Sequence, residues 1–360
     1  MVEDSTSSTI FVYRPDLLYC SSVILMTDLT TIITTLFRQK KIIVLGDVVA
    51  DQFLNGTISR VSREAPVFIL RHDVTNTLPG AAANAAVNIA SLGGKPILIG
   101  LIGKDETGTM LSSALQSRGV DTREILSAAE LSTTTKVRIL AGRHYATRQQ
   151  VIRIDYENSG VLTDDIKLEL RNNLANAADT ADAIIVSDYN YGVVFPEIFD
   201  DARSIAARLS IPLIVDSRFK LTDLAGASTA TPNREEVEQI LGKNFNSADC
   251  SVLREQLGYT ALLVTNGDQG MMLFEKGSEP LQIDAVGPTE PVDVTGAGDT
   301  VIAAYALGLA SGLSYAEAAT VANHAGGIVV MKKGTASIDA DELAISVRTH
   351  AAMLSSQQAL

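Results

Sequence analysis

Two rhythms of apolar residues alternate along the chain. Lys41-Ile-Ile-Val-Leu45, residues 97–103, Ala183-Ile-Ile-Val186, Pro212-Leu-Ile-Val215 and Ala261-Leu-Leu-Val264 are short aliphatic runs, each followed by glycine or polar residues. Runs of this kind read as strands buried on both faces. Residues 105–119, 164–178 and 197–209 carry helical spacing instead. Strand and helix in turn predict a central, mostly parallel sheet between two helical layers, an α/β domain. The strand ends carry Asp47, Asp188, Asp216 and Thr265, with Asn233 just past another, on the rim where open sheets place ligands.

Two segments break the alternation. Residues 52–78 read as short strands joined by turns, and 133–156 alternate in period two as half-buried strands. Residues 79–94 are alanine-rich and read as a helix whose small side chains let a ligand approach its start. Asn84 on it can donate to and accept from a hydroxyl, or serve only as a polar helix residue. Residues 300–310 hold no charge and no proline, which reads as a buried helix. Gly296-Ala297-Gly298-Asp299 precedes it. The glycines let the backbone turn tightly, and the helix start points unpaired N–H groups at the same spot. Asp299 there either caps the helix or takes a proton from a hydroxyl while the N–H groups steady a phosphoryl group.

Composition narrows the classes. The 360 residues are 46% hydrophobic and 20% charged, as in a soluble globular protein. A net charge of -13 argues against a nucleic-acid partner. The four histidines show no metal spacing, and Cys20 and Cys250 form no pattern, which fits a reducing cytoplasm. No apolar run approaches a membrane span. Residues 1–25 are Ser/Thr-rich without the features of a signal peptide, and read as a disordered extension to a domain over 26–360. No Walker loop is present, so a nucleotide would be held without one.

Asp293-Val-Thr-Gly-Ala-Gly-Asp299 resembles the C-terminal signature of the ribokinase (PfkB) family of sugar kinases. Gly80 and Asn84 match its N-terminal signature, and the likeness runs in order over about residues 40–345. The resemblance implies a ribokinase-like three-layer α/β/α fold with a small β-sheet lid from about 52–78 and 133–156. It implies transfer of the γ-phosphoryl of ATP to a sugar hydroxyl, with Mg²⁺. Asp299 would be the base, and Gly296, Ala297 and Gly298 the anion hole. Asp51, Gly80 and Asn84 would hold the sugar. Asn233, Thr265, Gly267, Gly270, Gly296, Gly298 and Asn323 would hold the nucleotide. Asn233 and Glu236 would order Mg²⁺, partly through water, although the same spacing is a capping box. Asp293 and Thr295, with backbone from Val330, Lys333, Gly334 and Ser337, match the K⁺ site of many members.

The sequence departs from the family pattern twice. Ala81 stands where relatives have a second glycine and would be strained at positive φ. Tyr191 stands where relatives carry lysine. The wording of residues 59–66, 79–93, 187–192, 231–236 and 293–302 is most similar to the heptose-7-phosphate kinase domain, which makes heptose 1,7-bisphosphate. That implies a phosphorylated acceptor, met by Arg60, Arg63, Lys136, Arg138 and Arg153, unless these lie on solvated strand faces. A ribokinase- or fructokinase-like kinase of an unphosphorylated sugar is the alternative. A non-catalytic sugar-binding regulator is the alternative of another class. The expected partners are a sugar or sugar phosphate and a second copy paired through the lid, with no nucleic acid and no membrane.

Overall fold

The computed structural model describes residues 29–142, 148–158, 161–287 and 290–358. The expected extension over 1–25 lies outside them. Thirteen strands among these residues form two sheets. The larger runs β13-β12-β11-β10-β9-β8-β1-β4-β5 and the smaller β3-β2-β6-β7.

In the large sheet, β1 (Lys41–Gly46) lies between β4 (Lys95–Gly103) and β8 (Ala183–Asp188), parallel to both. β5 (Ile125–Ala128) extends one side; β9 (Leu213–Ser217), β10 (Thr229–Ala230) and β11 (Ala261–Thr265) extend the other, all parallel. β12 (Met271–Glu275) and β13 (Leu281–Ile283) close that edge antiparallel. Alternation along β1 divides the core. Ile42 and Val44 enter one apolar cluster with α1 (Ala82–Ser91), α2 (Glu106–Gln116), α7 (Ala297–Ala310), α8 (Tyr315–Val329) and α9 (Ala340–Gln358). Ile43 and Leu45 enter the other with α3 (Asp164–Ala178), α4 (Pro196–Leu209), α5 (Arg234–Leu241) and α6 (Ser247–Gln256). This is the expected three-layer arrangement. Among the described residues no helix is long and apolar enough to cross a membrane.

The lid differs from expectation in detail. Instead of short strands, β2 (Val48–Val61) and β3 (Phe68–Ala81) form one long antiparallel hairpin. Its base, Val48 to Ala50, is buried in the main core, and its far end is exposed. β6 (Thr135–Gly142) runs parallel to β2, and β7 (Gln149–Tyr156) lies antiparallel at the edge. Every residue of β7 is exposed rather than half-buried, because no layer among the described residues covers that edge.

Candidate active site

α7 is apolar on all sides and buried from Asp299 to Leu309, so its start is fixed by the core around it. Gly296 precedes it at φ 77 with no side-chain cap. A Cβ on Gly296 would come within 2.7 Å of Asn84 Nδ2, so glycine is required for Asn84 to reach the helix start. A Cβ on Gly298 would meet no protein atom within 4 Å. The space beside Gly298 is therefore open to a ligand.

Asp299 is 6% exposed. Asn84 Nδ2 donates to its Oδ2 at 2.7 Å, and Tyr189 OH donates to its Oδ1 at 3.3 Å. Burial raises its pKa to about 7, against the pull of these two donors. The Asp299 charge, with burial, pushes the Tyr189 hydroxyl well above its ordinary value, so it stays a donor. Behind them, Asn88 Nδ2 donates to Asn84 O at 3.0 Å and Thr300 Oγ1 donates to Asn88 Oδ1 at 2.9 Å. This buried ladder locks α1 to α7 and fixes the amide of Asn84.

On the lid side, Asp51 is buried at the base of β2 and pairs with Arg138 of β6. A Cβ on Gly80 would overlap the Asp51 carboxylate, so Gly80 makes room for that acid. Lys136, 9% exposed, is the register partner of Asp51. Its ammonium lies 5.5 Å from the centre of the Tyr189 ring and 5.4 Å from that of Tyr191. Burial lowers its pKa while the nearby Asp51 charge opposes this. Ala81 takes φ 53, ψ −131, so the residue that departs from the family pattern does carry positive φ.

Asp47 has a different task from ligand binding. Its carboxylate accepts from Tyr189 N at 2.8 Å, Tyr191 N at 3.0 Å and Val193 N at 3.1 Å. It thus pins the loop that brings Tyr189 to Asp299. Burial raises its pKa against those three donors. The contact of Tyr189 with Asp299 spans 110 residues and left no local signal in the sequence.

On the far side of α7 lies a cavity of about 210 Å³. Thr265, Gly267, Gly270, Ala297, Gly298 and Asn323 line it, with Met271, Val286, Val301 and Val330 as apolar wall. Five of the seven residues expected at the nucleotide are therefore gathered here. Asn323 is 5% exposed and donates to Asp284 O at 2.7 Å, which holds one wall in place. Gly270 allows the close approach of Ile283 O.

Asn233 and Glu236 form the capping box of α5: Glu236 N donates to Asn233 Oδ1 at 2.9 Å and Asn233 N to Glu236 Oε2 at 2.8 Å. One carboxylate oxygen of Glu236 stays outside the box. Burial raises the Glu236 pKa, and burial with the charges of Glu236, Asp299 and Asp188 raises that of Asp216 strongly. Among the described residues no three His, Cys, Asp or Glu converge on one point that would hold a metal alone.

Three of the expected K⁺ ligands, Asp293, Val330 and Ser337, accept hydrogen bonds within the protein. Asp293 accepts from Thr295 N at 3.0 Å and Gly334 N at 2.9 Å. Burial opposes its ionisation, but those donors prevail and keep its pKa low. Val330 O accepts from Val292 N and Asp293 N. Ser337 O accepts from the Lys332 ammonium at 2.9 Å.

Arg60 and Arg63 do not join the site within a single chain. They sit exposed at the far end of the hairpin, roughly 30 Å of strand beyond Asp51. Arg153 pairs with Asp155 on β7.

The sequence pattern described as pfkB family carbohydrate kinase matches residues 39–342. The bifunctional protein HldE of Gluconobacter oxydans is 36% identical over 315 residues, 85% of this chain and 64% of the relative. That of Nitrosococcus oceani is 39% identical over 321 residues, again 85% and 64%. The chain thus spans under two thirds of the length of these curated relatives. In fold it resembles ribokinase from Arabidopsis thaliana, solved with ribose and ATP (TM-score 0.65, 21% identity, 86% of this chain, 98% of that one). It also resembles phosphofructokinase-2 from Escherichia coli, solved with potassium (TM-score 0.68, 20% identity, 87% and 99%).

Proposed function

The chain belongs to the pfkB family of carbohydrate kinases, and on that premise we propose that it moves the γ-phosphoryl group of ATP to a sugar hydroxyl with Asp299 as base. One observation carries the reading. A single buried carboxylate with a pKa near 7 stands at the start of α7, between an open cavity and a polar lid base. A general base works best when its pKa lies near the working pH. The sugar lies among Asp51, Asn84 and Lys136; its hydroxyl gives its proton to an Asp299 oxygen. The adenosine lies in the cavity beside Thr265, Gly267, Gly270 and Asn323. The phosphates reach Gly298, beside which the space is open. The N–H groups of Gly296 and Gly298 and the α7 dipole face the transferring group, while the Ala297 N–H donates to Val294 O and holds the turn.

Magnesium, when bound, screens the phosphate charge. Glu236 would meet it through its free oxygen and water, with Asn233 holding Glu236 in place. Potassium fits poorly, because Val330 O already accepts two backbone donors and Ser337 O accepts from the Lys332 ammonium. Retention of Asp299 and of an open helix start argues against a non-catalytic regulator.

The acceptor we favour is heptose 7-phosphate, phosphorylated at its anomeric hydroxyl. The motif wording and Lys136 support it. The pairing of Arg138 with Asp51 and of Arg153 with Asp155 favours a second reading, an unphosphorylated sugar such as ribose or fructose. Comparison of kcat/KM for heptose 7-phosphate, fructose 6-phosphate, fructose and ribose decides between them. We expect the phosphorylated acceptors to lead; a lead for ribose or fructose removes phosphate recognition and keeps the kinase.

A further inference from the structure

The loop that Asp47 pins carries two tyrosines, and both rings are anchored at each end. Tyr189 and Tyr191 give their backbone N–H to Asp47. The Tyr189 hydroxyl donates to Asp299, and the Tyr191 hydroxyl donates to Glu157 Oε1 at 3.0 Å. Asn190 between them takes φ 65, which turns the chain. Neither ring is free to swing away. Into the gap between them comes Lys136, from the lid strand β6.

Lysine is a flexible chain that normally keeps its ammonium in water. Here it is 9% exposed, and among the described residues its close partners are the two rings, with no ion pair to a carboxylate. The charged groups around it are Asp51 on β2, Arg153 and Asp155 on β7, Arg218 after β9 and Asp299 on α7. Of these acids, Asp51 and Asp155 are already paired with Arg138 and Arg153, and Asp299 accepts from Asn84 and Tyr189. Two aromatic faces attract a cation but leave its outward side without an anion. A buried charge held this way is incomplete until an anion arrives.

We propose that Tyr189 and Tyr191 clamp the Lys136 ammonium at the acceptor site, that Lys136 binds the anionic group of a phosphomonoester sugar, and that Tyr191 is its positioning residue. This rests on the kinase reading for the place of the acceptor, but not for the clamp itself. The ring of Tyr191 does the positioning; its hydroxyl only steadies the ring. Because Tyr191 is half-exposed, its replacement leaves the core intact.

The test labels Lys136 in the full chain with acetic anhydride and counts the modified peptide by mass spectrometry. Fructose 6-phosphate, fructose and inorganic phosphate are the added probes. We expect saturable protection of Lys136 by fructose 6-phosphate and by phosphate, and none by fructose. Tyr191→Phe keeps the protection, whereas Tyr191→Leu requires at least tenfold more ligand. In a Lys136→Met background, adding Tyr191→Leu changes the acceptor KM less than twofold, and neither variant changes kcat more than KM. Equal protection by fructose overturns the proposal. So does a Tyr191→Leu chain that behaves as wild type, or a Tyr191→Phe chain as impaired as Tyr191→Leu. Protection by phosphate without turnover of any sugar refutes the kinase and leaves the clamp standing.

Discussion

At the residue scale, the proposed chemistry turns on how burial treats Asp299. Its folded pKa of about 7 lies above the ordinary carboxylate value. The group is thus neutral in the folded protein at pH 5 and charged at pH 8. Activity that needs the charged base rises with pH through 7. Stability moves the other way: the contribution present below the unfolded pKa is lost as pH climbs through the folded one. Burial of Asp299 thus costs stability, as the proposed role of base would require. Contiguity made Asp299 and its glycines legible, since seven neighbouring residues carry the signature. Tyr189 was not, because its contact closes only when β8 and α7 pack. Ala81 shows the converse, a local departure whose consequence was readable. At φ 53, ψ −131 an alanine is strained by about 1–3 kcal/mol. Glycine relieves this but loses about 0.4–1 kcal/mol through the freer unfolded chain. Ala81→Gly is therefore expected to stabilise by roughly 1 kcal/mol in urea denaturation; a destabilised variant contradicts the strain.

At the element scale, the long helices and central strands follow the apolar rhythm closely, and 164–178 is α3 to the residue. β5, β12 and β13 escaped because they are short and lie at or near a sheet edge, where alternation has little burial to record. The lid hairpin reads as fragments in sequence because register shifts at Asn55/Gly56 and Ile58/Arg60 interrupt its period. α5 shows two readings of one spacing coexisting. The capping box occupies Glu236 Oε2 and leaves the other oxygen for an ion. Glu236→Gln keeps an oxygen for the cap but removes the charge. We expect a melting temperature within about 1 °C of wild type, a shift that corresponds to less than about 1 kcal/mol for 360 residues. Titration of the rate with Mg²⁺ should then show at least a fivefold higher requirement. Unchanged Mg²⁺ dependence would reduce Glu236 to a cap.

At the scale of the whole molecule, the described residues of a single chain leave the lid uncovered. Val61, Phe68, Val74, Val151, Ile152 and Tyr156 are each more than 40% exposed on it. Apolar exposure of this kind marks a protein contact, and closed twofold pairing is the commonest arrangement. Sedimentation should therefore give a dimer that Ile152→Glu with Tyr156→Glu converts to monomer; a monomeric wild type removes the lid interface. The two-layered core and rim needed no such partner to be foreseen, because alternating strand and helix dictate them. Which lid cations stay free for a substrate was not foreseeable, since ion pairs such as Arg138 with Asp51 depend on strand register.

The central claim is that Asp299 removes the acceptor proton. The most direct measurement is acceptor-dependent release of ADP from ATP, followed from pH 5 to 9 in wild type and Asp299→Asn. The wild-type rate should rise through an apparent pKa near 7. The variant should lose about 10²–10⁴-fold at pH 8, while still binding ATP and melting no lower than wild type at that pH. A variant that turns over at near wild-type rate, or a wild-type profile flat across that range, contradicts it.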